Sequence, residues 1–270
     1  MTVNVDQLAA LLRETAAEKI LPRFRSLSSQ DIEEKSRGDF VTIADREAEL
    51  FLTPRLMDLH PGSIVVGEEA TAADPDLLEK TAGEEPTWYV DPIDGTALFV
   101  DGEPGFATMV ALAVNGEVVQ SAIYFPVLNE LFLAEKGGGA RFIGADTSSM
   151  LSERTSPKRL ESAAAAFYTK HFPEKWAQGL TRLKGQVSST QNEMCAAREY
   201  TDIARGEKDL ASYHRMLPWD HAPGSLILSE VGGVARNVET GEDYRPRTLQ
   251  GPHVLAANEA LWHAARDVLA

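Results

Sequence analysis

Cysteine is nearly absent from the 270-residue chain, where Cys195 stands alone. A lone thiol excludes an intrachain disulfide and any cysteine-rich zinc site. Histidine is scarce too: six scattered residues show neither His-x-His nor His-Glu-x-x-His spacing, so zinc-hydrolase chemistry is not expected. Basic residues are outnumbered, with 26 Lys and Arg against 41 Asp and Glu, for a formal charge of −15. That excess repels phosphate backbones and anionic lipid, which argues against binding nucleic acid or a membrane surface. No run approaches the ~18 apolar residues of a membrane span. The start, Met1 to Asp6, lacks the basic residues and apolar stretch of a signal peptide. A cytoplasmic protein is the expectation. Internal repeats and low-complexity tracts are also missing.

What remains is an ordinary globular composition, 43% hydrophobic and 25% charged, enough apolar material for a substantial core. Leu8, Leu11, Leu12 and Ile20 recur at helical spacing behind Asp6, a candidate N-cap. A second helix is expected over residues 44–59, with Ala48, Phe51, Leu52 and Leu59 on its apolar face and Pro61-Gly62 as its stop. Ile64-Val65-Val66 and Trp88-Tyr89-Val90 read as short buried strands, with a surface loop or short helix between them. Apolar runs at 109–114 and 118–124 flank Asn115-Gly116, a strong hairpin signal, and 131–134 adds a strand. The Ser-rich, charged stretch 147–161, containing Pro157, is the expected boundary between subdomains 1–150 and 151–270. Beyond it, strands are expected at 163–168 and 210–213, with helices at 191–205, 220–231 and 256–270. Gly232-Gly233 would close the second of these helices.

The acidic excess leaves one functional opening, because clustered carboxylates bind hard cations such as Mg²⁺. Asp91-Pro92-Ile93-Asp94-Gly95-Thr96 follows a buried strand, where an unpartnered acid is costly. Asp91 and Asp94 can converge on one ion, with the Ile93 carbonyl as a further oxygen. Gly95 and Thr96 can open a helix whose free N–H groups suit phosphate. The plainer reading is a turn in which Asp94 caps that helix. Gly67-Glu68-Glu69 ends its own strand and would bring two more carboxylates to the crevice, although paired glutamates are more often solvated. Asp220, after Trp219, is either an N-cap or another ligand. Asp45 closes the segment from Lys35 and would otherwise only cap the second helix.

These pieces, in this order, resemble the inositol monophosphatase family of Mg²⁺-dependent, lithium-sensitive sugar phosphatases. Gly-Glu-Glu at 67–69, Asp-Pro-Ile-Asp-Gly-Thr at 91–96 and Trp-Asp at 219–220 carry the resemblance, and Thr-x-x-Asp at 42–45 supports it. It implies an α+β chain folded as an α/β/α/β/α layered sandwich, of the inositol monophosphatase and fructose-1,6-bisphosphatase type. Residues 1–150 would hold most ligands, and 151–270 would supply Asp220 and the substrate pocket. It places Glu68, Asp91, Asp94, Asp220 and the Ile93 carbonyl on two or three Mg²⁺ ions, with Gly95 and Thr96 on phosphate. Asp45 and Thr96 would orient or deprotonate the attacking water, assisted by Glu69. A homodimer acting on a small phosphorylated metabolite is implied: an inositol phosphate, histidinol phosphate or a sugar phosphate.

Two alternatives stand beside it. Haloacid-dehalogenase-type phosphatases carry Asp-x-Asp-Gly-Thr, but here two residues separate the acids and the string lies far from the N-terminus. A regulatory or binding protein that keeps the fold without catalysis is the other. The chain departs from the family at Ala97, where a second Thr is usual, and at 188–190, where Ser188-Ser189-Thr190 replaces small pocket residues. Ser189 is the expected substrate contact there. The strand 210–218 has no acid to accept sugar hydroxyls, only Tyr213, His214 and Arg215. Arg215 suits a carboxylate or second phosphate, which predicts a substrate with an extra anionic group.

Overall fold

The computed structural model describes residues 3–36, 38–153 and 159–269. Arg37, the 154–158 stretch with Pro157, and the terminal Met1, Thr2 and Ala270 lie outside the described residues. The first helix, α1 (Val5–Thr15), continues through a wider turn at Ala16–Ile20. Its cap is Asn4, whose side chain accepts the Asp6 N–H at 2.8 Å, so Asp6 falls inside the helix rather than before it. The hairpin of β1 (Ile32–Ser36) and β2 (Asp39–Thr42) delivers the chain to α2 (Ile43–Leu59). Thr42 and Asp45 cap α2 reciprocally, which occupies two of the amides that a helix start leaves unpaired.

Next come β3 (Ile64–Gly67), α3 (Glu68–Ala73), β4 (Thr87–Asp94) and α4 (Thr96–Asp101). The sheet is completed by β5 (Ala107–Val114), β6 (Glu117–Phe125), β7 (Glu130–Glu135), β8 (Gly139–Ile143) and β9 (Ser148–Met150), in spatial order 3-4-5-6-7-8-9. β3 and β4 run parallel; the other pairs are antiparallel. The second half holds β10 (Ala164–Phe167), α5 (Ala177–Lys184), β11 (Ser189–Thr190), α6 (Ala196–Arg205) and β12 (Leu210–Arg215). It ends with α7 (Pro218–Glu230), β13 (Val234–Asn237), β14 (Gln250–Ala256) and α8 (Glu259–Leu269). Its strands form a second, mixed sheet in the order 11-10-12-14-13.

Side-chain alternation on the strands explains the stacking, since a pleated strand sends successive residues to opposite faces. Trp88, Val90, Val110 and Leu112 pack against Leu8 and Leu12 of α1 and Leu52 and Leu56 of α2. Tyr89, Met109 and Ala111, on the other face, pack against Tyr200 and Ile203 of α6 and Leu226 and Ile227 of α7. The same cluster reaches Ala166, Ala211 and Leu255 on the inner face of the second sheet. Phe167, Val254 and Ala256 face outward, under Leu180 of α5 and Trp262 of α8. Helices, sheet, helices, sheet and helices therefore form five layers, the expected α/β/α/β/α sandwich. Both β4 and β5 are buried almost throughout, as strands covered on both faces must be.

Two helices start later than expected. The helix read at 191–205 starts only at Ala196, because Phe167 and Tyr168 hold the residues before it by hydrogen bonds outside the helix. The helix read at 256–270 starts at Glu259, because Ala256 is still paired with Leu210 and Val234. Strands β13 and β14 carry no clear alternation and escaped the reading. Among the described residues, no helix is long and apolar enough to cross a membrane.

Candidate active site

The strand expected to stop at Asp91 instead runs on to Asp94. Between Asp91, opposite Met109, and Asp94, opposite Ala107, β4 takes three steps while β5 takes two. That extra residue is a β-bulge, which tolerates Pro92 in a buried strand and re-aims the side chains on either side. The turn is tied down by its own polar groups. Asp91 Oδ1 accepts the Ile93 N–H at 3.0 Å, and Thr108 donates to the Pro92 carbonyl at 2.9 Å. The Ile93 carbonyl accepts from Thr96 Oγ1 at 2.9 Å. Gly95 has φ +82°, a left-handed conformation that favours glycine, and starts α4.

Parallel pairing puts Gly67 opposite Val90, so the ends of β3 and β4 lie side by side. Glu68 thereby meets Asp91. Asp220 arrives from the other half, in the first turn of α7. Leu217 occupies the cap position and Pro218 begins the helix, so Asp220 is not the N-cap. Carboxylate oxygens of Glu68, Asp91 and Asp220 lie within 4.8 Å of one another, with Asp91 buried and the other two half-buried. Burial pushes the Asp91 carboxyl well above its usual range, and the charges of Glu68, Asp94 and Asp220 push it further. Glu68 is raised for the same reason, burial first, and Lys35 opposes the shift. The Lys35 ammonium reaches Glu69 at 2.8 Å and Glu68 at 3.3 Å. Three crowded, partly dehydrated carboxylates with only oxygen donors are a set that a hard divalent cation fits.

Asp94 stands outside this triad. Its Oδ2 accepts the Ala197 N–H at 2.5 Å and lies 3.1 Å from Cys195 Sγ, so it is turned toward the start of α6. Burial raises its carboxyl, and these donors counter the effect. Asp45 faces the bulge from α2. Its Oδ2 accepts from the Thr42 N–H and hydroxyl at 2.8 and 2.6 Å, and its Oδ1 lies 3.2 Å from Thr96 Oγ1. Burial pushes Asp45 up to about 7, Glu69 adds to the rise, and the bonds from Thr42 and Thr96 restrain it. Thr96 has one hydroxyl proton, so it donates to Asp45 or to the Ile93 carbonyl at any moment, not to both.

A cavity of about 450 Å³ opens beside Asp94 and Asp220. Tyr213, His214 and Arg215 line it, as expected, together with Tyr168, whose ring stacks on Tyr213 at 4.6 Å. His221, next to Asp220, is driven down to about 3 by burial and is neutral. Its Nε2 lies 3.1 Å from the Arg215 carbonyl, which can only accept, so Nε2 carries the proton and Nδ1 accepts from Tyr200. Ser189 lies elsewhere, on the exposed edge strand β11, lining a different cleft with Lys208. The cavity wall that Ser189 was expected to supply comes from Met194, Cys195 and Ala196. Met194 is 63% exposed at φ +59°, with its N–H donated to the Tyr168 hydroxyl at 3.0 Å. The polar stretch 191–193, with no apolar period of its own, was the available signal that the helix began later.

A model of the inositol monophosphatase family matches residues 3–269. An inositol monophosphatase from Dictyostelium discoideum is 34% identical over 225 residues, covering 83% of this chain and 80% of that protein. An inositol-1-monophosphatase from Bacillus subtilis is 32% identical, covering 96% of this chain and 93% of its own length. The solved structure of the extragenic suppressor protein suhB from Bartonella henselae is 26% identical with a TM-score of 0.79, covering 98% of this chain and 97% of that one. The ordered motifs, the five layers and the converging acids accord with these likenesses: this chain belongs to the inositol monophosphatase family, a family of phosphoric monoester hydrolases.

Proposed function

We propose that this chain hydrolyses a small phosphorylated metabolite bearing a second anionic group, using Mg²⁺ held by Glu68, Asp91, Asp94, Asp220 and the Ile93 carbonyl. The observation that carries the reading is the approach of Glu68, Asp91 and Asp220 to within 4.8 Å, beside a cavity lined by Arg215. Asp94 completes the set by rotating the oxygen not engaged by Ala197. Bound Mg²⁺ would supply Lewis acidity to phosphoryl oxygens and acidify water at neutral pH. The chain's own groups do the rest. The Thr96 hydroxyl can turn its hydrogen bond from the Ile93 carbonyl to Asp45, so that Asp45 Oδ1 takes the Thr96 proton while Thr96 takes one from water. The Asp45 carboxyl near 7 suits that exchange around neutral pH. Glu69 pairs with Lys35 beside Glu68 and would assist through the metal's surroundings, and the backbone at Gly95 and Thr96 would face phosphate. Residues 1–150 thus carry most of the machinery, and 151–270 supply Asp220 and the pocket wall of Tyr213, His214 and Arg215. Lithium inhibition, a homodimer and a cytoplasmic setting belong to the same reading.

Phosphate release tests it, with inositol 1-phosphate, inositol bisphosphate, histidinol phosphate and sugar bisphosphates as substrates, with Mg²⁺ and with EDTA. The expected outcome is Mg²⁺-dependent turnover favouring a doubly anionic substrate. Arg215→Ala should lower kcat/KM for it by about 10-fold or more, since a charged hydrogen bond contributes roughly 1.5–3 kcal/mol. Equal turnover in EDTA would refute the metal. A preference for inositol 1-phosphate that Arg215→Ala leaves unchanged would refute the second anion. No phosphate release from any substrate would favour the regulatory reading.

A further inference from the structure

Glu49 is buried on α2, one turn beyond Asp45, and neither the motifs nor the acid triad includes it. Its carboxylate crosses to α3. Oε2 accepts the Glu69 N–H at 2.8 Å and Oε1 accepts the Ala70 N–H at 2.7 Å. α3 needs this, because its cap residue is Gly67, which has no side chain to offer. Gly67 has φ −102°, open to any residue, so backbone conformation does not demand glycine there. Space does: a Cβ on Gly67 would come closer than van der Waals contact to all three Glu49 carboxyl atoms, so that carboxylate would have to move. Helical spacing of four places Asp45 and Glu49 on one face of α2. Asp45 reaches Thr96, in the first turn of α4 just after β4, and Glu49 reaches Glu69, in the first turn of α3 just after β3. One helix face therefore ties together the two strand ends that carry Asp91 and Glu68.

We infer that Glu49 is a positioning residue for metal binding: it fixes the backbone at 68–70 and so sets where the Glu68 carboxylate stands relative to Asp91 and Asp220. The inference rests on the proposed metal-dependent reading and adds a residue to it. Glu49 does not itself ligate, since both its oxygens are occupied by amides. Partners that orient a ligand typically change metal affinity about 10–100-fold when removed. A merely structural cap would lower thermal stability and leave metal affinity alone.

The test is substrate-free titration with Mn²⁺, a paramagnetic stand-in for Mg²⁺, reading bound ion by electron paramagnetic resonance. Wild type, Glu49→Ala, Gly67→Ala and the double variant are compared, with melting temperatures recorded alongside. Each single substitution should weaken Mn²⁺ binding by about 10-fold. The double variant should be no weaker than the worse single, because the methyl at 67 occupies space that the carboxylate has left. If Glu49→Ala does not fold, Glu49→Gln serves. It keeps the shape and one acceptor but presents an N–H₂ to the second amide, and it should show the same weakening. Unchanged Mn²⁺ affinity with a lowered melting temperature overturns the positioning role, and so do additive effects in the double variant. Failure of wild type itself to bind Mn²⁺ overturns the metal reading beneath it, a separate and recognisable result.

Discussion

Asp91 is buried against the carboxylates of Glu68 and Asp220, and the ammonium of Lys35 pairs with Glu68 and Glu69. A carboxyl raised by burial and by like charges opposes folding once it ionises. Its raised value means the folded state holds the proton more tightly. The stability linked to that proton is present at low pH and lost as pH rises through the folded value. Asp91→Asn removes the charge while keeping the shape, so in metal-free buffer it should melt higher than wild type, by a margin that grows from pH 5 to pH 8. The same variant should lower phosphatase turnover by orders of magnitude, because the proposed Mg²⁺ site would lose a ligand. Melting curves at several pH values check the first outcome and phosphate release the second. A variant no more stable than wild type at pH 8 would mean that the acids are not in conflict. The Asp-Pro-Ile-Asp string was legible because its residue types are costly in a strand unless used together. The direction of the Asp94 carboxylate was not, because it depends on Ala197, which lies 103 residues away.

The start of α6 shows how an element's boundary is decided from outside. Residues 192–195 stay out of the helix because Asn192 bonds Phe167 in both directions, at 3.0 and 2.9 Å. Tyr168 donates to Glu199 at 2.6 Å and accepts from the Met194 N–H at 3.0 Å. Glu199 also takes the Glu193 N–H at 2.8 Å and pairs with Lys208, both partners being buried. This network holds the wall of the candidate pocket and Cys195 beside Asp94. Removing one partner of a buried ion pair leaves an uncompensated charge, typically at a cost of about 3–5 kcal/mol. Lys208→Met should therefore destabilise the protein by that order in urea unfolding, and Lys208→Met combined with Glu199→Gln should recover part of the loss. A change of less than about 1 kcal/mol, the range of an exposed pair, would place the pair in solvent. Local pattern could not locate this boundary, since Tyr168 and Glu199 meet only after β10 and α6 are packed.

At the scale of the molecule, the second sheet and the helices beneath it bury His221 and His253 among tyrosine rings. Burial lowers His253 to about 4, and its Nδ1 lies 3.0 Å from the Gly251 carbonyl. An unfolded His titrates near 6.5, so between pH 6.5 and 4 the unfolded chain binds the proton that the folded chain refuses. The linked stability is complete above pH 6.5 and is lost as pH falls. From pH 7 to pH 5 the loss from His253 is about 2 kcal/mol, at 1.36 kcal/mol per pH unit. Urea unfolding of wild type and His253→Gln at pH 7, 6 and 5 should show the wild-type advantage shrinking by that amount. A constant difference would mean that His253 is hydrated and titrates normally.

Elements with strong local period and punctuation were determined by the sequence alone. Examples are α1 and α2, the Asn115-Gly116 hairpin, and the existence of the buried strands that lead to Glu68 and Asp91. The order of the acidic motifs likewise identified the family, because so few residue types can serve a hard cation beside a phosphate. Tertiary structure decided what depends on distant partners. It fixed the later start of α6, the strands β13 and β14, the turn of Asp94 toward Ala197, and the exchange of Ser189 for Met194 at the pocket. It also joined Glu49 to the start of α3. The reason is common to all of these. A period or a cap acts within one or two turns of chain, whereas a buried carboxylate or an edge strand takes whatever donor the packed layers bring to it.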